Sequence, residues 1–214
     1  MDCLRYLGNM SFLLEINGTT CAINPSLQTA PPARIEKCDL IFITSEEGTC
    51  FDARAVEGIC GRTYASVVAP RHILARISVG DKYKVDVKGG DRFSLKGLEI
   101  NATRSVRPQS AYPVGFVISS AKWKIYYSGT TYAFADMAKI RCDIAILPIA
   151  GSQCMDAFAA ANACRDLRPK YAIPIGYERA ADSSASSTGE FSSGLPKGVL
   201  PIILRPGSAA KIKK

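Results

Sequence analysis

Thr44-Ser45-Glu46-Glu47-Gly48-Thr49-Cys50-Phe51-Asp52 is a polar loop between two segments of opposite character. Before it runs Asp39-Leu40-Ile41-Phe42-Ile43, a short apolar run of the kind that forms a buried strand, here Leu40–Thr44. After it, Ala55, Val56 and Ile59 recur at helical spacing within Ala53 to Gly61, and Asp52 is placed to cap that helix. The loop is therefore expected at the carboxyl end of a buried strand. Sandwich and α/β proteins carry their chemistry at such positions.

Outward from this unit, the first residues predict three antiparallel strands, Cys3–Leu7, Ser11–Ile16 and Thr19–Asn24, with a hairpin turn at Asn17-Gly18. Ser26 to Lys37 is rich in proline and reads as a loop. Beyond the first helix come a strand Tyr64–Ala69, a helix from Pro70 to Ile77, and a meander of Tyr83–Val87, Asp91–Leu95 and Leu98–Val106. The second half repeats the logic: strands Val114–Ser119, Trp123–Ser128, Ile144–Pro148 and Tyr171–Ile175, with an Ala-rich helix from Met155 to Asp166. Ala180 to Gly194, rich in Ser and Gly, is expected as a mobile loop before a last strand Val199–Leu204. Strands, then strand–helix alternation, twice over, imply an α/β (α+β) fold: an αββα sandwich of two mixed sheets with helices outside, as one domain over residues 1–214.

Composition narrows the classes. The chain has 214 residues, 47% apolar and 21% charged, as in a soluble globular protein. No apolar run reaches the roughly 18 residues that span a bilayer, and the first residues carry no secretory pattern, so a cytoplasmic protein is expected. Eight cysteines lack any C-x-x-C pair; they read as buried free thiols rather than a zinc knuckle. A net charge of +8 favours anionic partners. Its one local cluster, Lys211-Ile212-Lys213-Lys214, reads as a solvated basic tag, which keeps nucleic-acid binding a weak alternative.

The order of motifs resembles the metallo-β-lactamase superfamily, and within it the branch of ascorbate-phosphate lactonases and small metal-dependent hydrolases. That branch opens with a pattern like Y-L-G-H-S-C-F-L-I-E; this chain has Tyr6-Leu7-Gly8-Asn9-Met10-Ser11-Phe12-Leu13-Leu14-Glu15. Ile23-Asn24-Pro25 is similar to its I-D-P, Pro113 to Ile118 to its P-V-G-F-V-I, and Ser128-Gly129-Thr130-Thr131 to its A-G-D-T. Ile146 to Gly151, Leu167 to Tyr177 and Leu204-Arg205-Pro206-Gly207 match further family runs in order. The resemblance implies the αββα sandwich. In that family the polar loop reads T-H-x-H-x-D-H and its side chains hold metal. Here Ser45, Glu47, Thr49 and Cys50 stand at those positions, and Arg107, Thr130 and Gly176 at the remaining ligand positions.

One histidine, His72, is present in all, so a multi-histidine site is excluded by counting. Of the aligned residues, Glu47 and Cys50 are competent anionic ligands, and Glu46 or Asp52 could join them in an atypical metal set. Arg107 opposes that, because a fixed cation would face a second cation. Ser45 and Cys50 are candidate nucleophiles without a histidine base, but Ser and Thr in such loops more often form turns, and Cys50 packs as a small apolar residue. A third reading is a cleft for an anionic small molecule, with Arg107 as donor, lined by Asn24, Ser45, Thr49, Thr130 and Thr131, and with Arg104 and Tyr177 at its rim. Its rival is an internal Arg107–Glu47 ion pair. The sequence thus leads to the expectation of a metal-free binding or partner module without cofactor. The alternative is a metal-dependent hydrolase using Glu46, Glu47, Cys50 and Asp52.

Overall fold

The computed structural model describes residues 2–29, 34–179 and 184–212. The first three apolar runs form antiparallel strands β1 (Cys3–Gly8), β2 (Ser11–Ile16) and β3 (Thr19–Ile23). Asn17 and Gly18 turn the hairpin with φ of 52° and 79°, the left-handed values such turns demand. The strands β4 (Leu40–Phe42) and β5 (Ser66–Ala69) add in parallel, with helix α1 (Ala53–Thr63) between them. After the short helix α2 (Arg71–Leu74), β6 (Lys84–Asp86) ends this side of the sheet.

The second sheet begins with four antiparallel strands, β7 (Arg92–Leu95), β8 (Leu98–Arg104), β9 (Val114–Ser119) and β10 (Lys124–Tyr127). Strand β11 (Ile144–Pro148), helix α3 (Ala157–Leu167), β12 (Tyr171–Ile175), helix α4 (Ser184–Gly194) and β13 (Leu200–Pro201) continue it with parallel pairing. A last strand, β14 (Ala209–Lys211), returns to β1. The two sheets therefore run β14-β1-β2-β3-β4-β5-β6 and β13-β12-β11-β10-β9-β8-β7.

Alternation along the strands explains the layering. Cys21, Ile23, Leu40, Phe42 and Val68 enter the core between the sheets, and Phe42 meets Phe116 of β9 with ring centroids 4.9 Å apart. Ala22, Ile41, Val67 and Ala69 point the other way, onto Val56 and Ile59 of α1 and Ile73 and Leu74 of α2. A sheet buried on both faces must be covered on both. The result is the expected αββα sandwich of two mixed sheets.

Several boundaries depart from the sequence reading. Tyr64 is no strand residue: it caps α1 in the left-handed conformation (φ 57°), its N–H bonding the Cys60 carbonyl. The helix expected from Pro70 to Ile77 contracts to four residues, α2. The expected meander is split, since β6 pairs with β5 in the first sheet while β7 and β8 open the second. Val199–Leu204 contracts to the two residues of β13, and the tail expected as a solvated tag enters the first sheet as β14 with Ile212 buried; Lys213 and Lys214 lie outside the described residues. The expected mobile loop Ala180–Gly194 is corrected where it is described: Ser184–Gly194 is a helix, and 180–183 lie outside. Phe191 is fully buried, and a Cβ on Gly194 would stand 3.0 Å from that of Ala161 in α3. Close packing on α3 makes this segment helical against a poor intrinsic propensity.

Candidate functional site

Loops at the carboxyl ends of β4, β8, β10, β11 and β12 gather at one edge of the sandwich. The polar loop after β4 is anchored first. Asn24, in a left-handed turn (φ 46°), accepts from the Thr44 amide at 2.9 Å, and its own amide nitrogen donates to Thr44 Oγ1 at 2.9 Å. The Thr44 carbonyl in turn accepts from the Val114 amide of the other sheet at 2.9 Å. Gly129 closes this junction, and only glycine fits. Its φ is +69°, and a Cβ would stand 2.9 Å from the Val114 carbonyl and 3.0 Å from Thr44 Cβ. Asp52 ends the loop as expected, accepting from the Ala55 amide at 3.1 Å as the N-cap of α1.

Within this frame the loop's charges are committed. Glu47 forms an ion pair with Arg107 and accepts from Ser110 Oγ at 3.1 Å. Arg107, 6% exposed, also donates through Nη2 to Gln153, but its Nε finds no hydrogen-bond partner. Glu46 accepts from the Ala111 amide at 2.8 Å and lies 3.3 Å from His72 Nε2. Burial alone would raise the Glu46 carboxyl; the Ala111 amide, its own backbone amide and His72 outweigh it, and the net shift is downward. Ser45 is buried with an unpartnered hydroxyl. Cys50 packs its sulfur 3.1 Å from Thr130 Oγ1. Thr131 Oγ1 accepts from the Val106 amide at 2.8 Å, which fixes the start of the Arg107 loop.

Glu47, Thr49 and Arg107 border a cavity of about 770 Å³ together with Asn9, Gln109 and Gln153. Asn24, Cys50, Thr130 and Thr131 hold its frame from behind through the bonds above. Gly176 does not line the cavity: its amide donates to the Tyr6 hydroxyl at 2.9 Å, while Tyr6 donates to Glu178 at 2.7 Å. Burial, reinforced by Glu178, raises the Tyr6 phenol. Two expected rim residues are elsewhere. Tyr177 is buried with its hydroxyl on the Leu204 carbonyl, and Arg104 lies on the outer face of the second sheet. Sequence reasoning missed Gln153, Ser110, Gln109 and the Glu46–His72 contact. None of them stands within a motif, and only the fold brings them to the loop.

A two-sheet αββα sandwich with a polar, loop-built cleft at its strand ends defines the architectural class of the protein. The chain belongs to the β-lactamase superfamily, whose domain model matches residues 3–176. It is 32% identical over 170 residues to a UPF0173 metal-dependent hydrolase of Thermoplasma acidophilum, covering 72% of this chain and 74% of that one. With a UPF0173 metal-dependent hydrolase of Sulfolobus acidocaldarius it shares 29% identity over 99% of this chain and all of the relative. The structure of Igni18, a metallo hydrolase from Ignicoccus hospitalis, superposes with a TM-score of 0.81 at 24% identity, covering 99% of both chains, which shows the common fold.

These relatives correct the expectation of a metal-free binding or partner module. Proteins similar to this chain over most of its length are described as metal-dependent hydrolases, so the alternative of a metal-dependent hydrolase is the better-supported reading. The particular ligand set expected for that alternative is not assembled, however. Glu46 turns to His72 and Ala111, Glu47 to Arg107, Cys50 to Thr130, and Asp52 to the Ala55 and Leu27 amides. No group of three or more His, Cys, Asp or Glu side chains is placed to hold a metal ion among the described residues. The unpartnered Arg107 Nε–H is a donor, suited to an anion and not to a cation. The residues of this cleft do not fit a metal centre. Among the described residues, no helix is long and apolar enough to cross a membrane.

Proposed function

We propose that the chain is a hydrolase of small esters that carry an anionic group, with the Glu47–Arg107 pair at the heart of its site. The observation that carries the reading is this pair on the wall of the cavity. Among the described residues Glu47 is the one carboxylate that borders it, and Arg107, which borders it too, holds Glu47 through Nη1 and keeps a buried, unpartnered Nε–H behind. An incoming anion engages Arg107 and releases Glu47 from it. The freed carboxylate takes a proton from water as the resulting hydroxide attacks the acyl or phosphoryl centre, and returns that proton to the departing alcohol. Arg107 stabilises the charge that develops on the attacked group. The neutral amides of Asn9, Gln109 and Gln153 supply hydrogen bonds for the rest of a polar substrate. The eight cysteines are all free, which supports residence in the reducing cytoplasm.

A panel of phosphate mono- and diesters and lactones tests the reading, assayed with the wild type, Glu47→Gln and Arg107→Gln. Each is run with a chelator and with added zinc or manganese. Turnover of at least one anionic ester is expected, falling by about 10²–10⁴-fold in Glu47→Gln, the usual contribution of a general base. Absence of turnover across the panel, or turnover indifferent to Glu47→Gln, would overturn it.

A further inference from the structure

The outer face of the second sheet carries a separate cavity of about 470 Å³ over β7 to β10. Small-molecule sites typically occupy roughly 300–1,000 Å³. Alternation along β8 decides its floor: Leu98, Ile100 and Ala102 enter the core, so Glu99, Asn101 and Thr103 face outward. One rim is the Gly89-Gly90 turn, which lies flat on β8. A Cβ on Gly89 would stand 2.8 Å from Arg104 Cγ and 3.1 Å from both Arg104 N and Cα, a close approach that glycine permits. The other rim is the segment 134–141.

Charge in this cavity is unbalanced. Five cations line it against two carboxylates. Asp136 is taken by Lys139 at 2.7 Å and Glu99 by Ser94, while Arg141 turns onto the Ala138 and Ile140 carbonyls. That leaves Arg92, Arg104 and Lys124 without a side-chain hydrogen bond or ion pair among the described residues. Arg104 is still close enough to Asp136 to add to the lowering that Lys139 imposes on its carboxyl.

Thr103 is 8% exposed and closes the floor, its hydroxyl meeting the fully buried Tyr126 hydroxyl beneath it. Burial raises the pKa of the Tyr126 phenol, and the hydrogen bond with Thr103 tempers the rise. Val117, Phe134 and Ile140 supply apolar surface within the same cavity.

We propose that this cavity binds an organic phosphate, its phosphoryl group held by Arg92, Arg104 and Lys124 and its apolar body resting on Val117, Phe134 and Ile140. The site lies apart from the cleft and does not depend on its chemistry. The test is calorimetric titration of the full chain with AMP and with inorganic phosphate. It uses Arg107→Gln, in which the cleft lacks its anion donor, and in that background Lys124→Gln, Arg92→Gln and Arg104→Gln, with thermal melts establishing that each is folded. AMP is expected to bind more tightly than inorganic phosphate. Lys124→Gln and Arg104→Gln should each weaken it about tenfold, the loss of one charge-assisted contact. Titration of a short single-stranded RNA separates a nucleic-acid surface from a small-molecule site. No binding of AMP, binding indifferent to the three cavity variants, or salt-steep RNA binding without AMP binding would each overturn the proposal.

Discussion

Arg107 is the one charged side chain among the buried polar residues described, and its compensation decides how the cleft is held. Its partner Glu47 keeps 21% of its side chain exposed, so the pair is only partly desolvated. Removing one member of a buried pair costs about 3–5 kcal/mol, and partial exposure puts Arg107→Ala at the lower end, near 3 kcal/mol. Equilibrium denaturation should show that loss, with a smaller one, about 1 kcal/mol, for Gln153→Ala. Glu46 gives a pH signature. Its folded pKa is lowered, so its contribution to stability is present above the ordinary value of 4.5 and fades as pH falls through the lowered one. Melting temperatures of wild type and Glu46→Gln should therefore differ at about pH 6 and converge toward about pH 3. Much of this residue scale was legible. Thr44 to Asp52 marked the loop, and Arg107 was placed opposite Glu47. Gln153 and His72 were not legible as partners, because contacts between distant loops leave no local pattern in sequence.

At the scale of elements, β4 and α1 follow from pattern and cap alone, while α4 does not. Its sequence, Ser184 to Gly194, offers poor helix formers and one large apolar anchor, Phe191. Its order depends on α3, so Phe191→Ala should cost about 3–5 kcal/mol, as for other buried aromatics. Hydrogen exchange should then show amides of α4 losing protection before those of β11. Retained protection in α4 would mean that the helix is held by something other than this contact. The split of the expected meander has a similar origin. Period-two alternation tells which face of β6 or β7 is buried, but not which sheet each strand joins.

At the scale of the molecule, the ordered family motifs made the sandwich legible, since they fall along most of the chain in sequence. What they did not disclose is how Glu47 and Arg107 pair and how Cys50, Thr130 and Gly176 are bonded around the cleft. Burial also raises the pKa of Cys21, Cys38, Cys142, Cys154 and Cys164, so native protein near neutral pH should alkylate at these thiols far more slowly than denatured protein. Mass spectrometry after a timed iodoacetamide pulse reads this directly. The central claim concerns Glu47, and its most direct measurement is kcat/KM for an anionic ester in wild type and Glu47→Gln, with both shown to be folded under assay conditions. The account predicts a drop of about 10²–10⁴-fold, carried by kcat. Equal kcat/KM in the two proteins would contradict it.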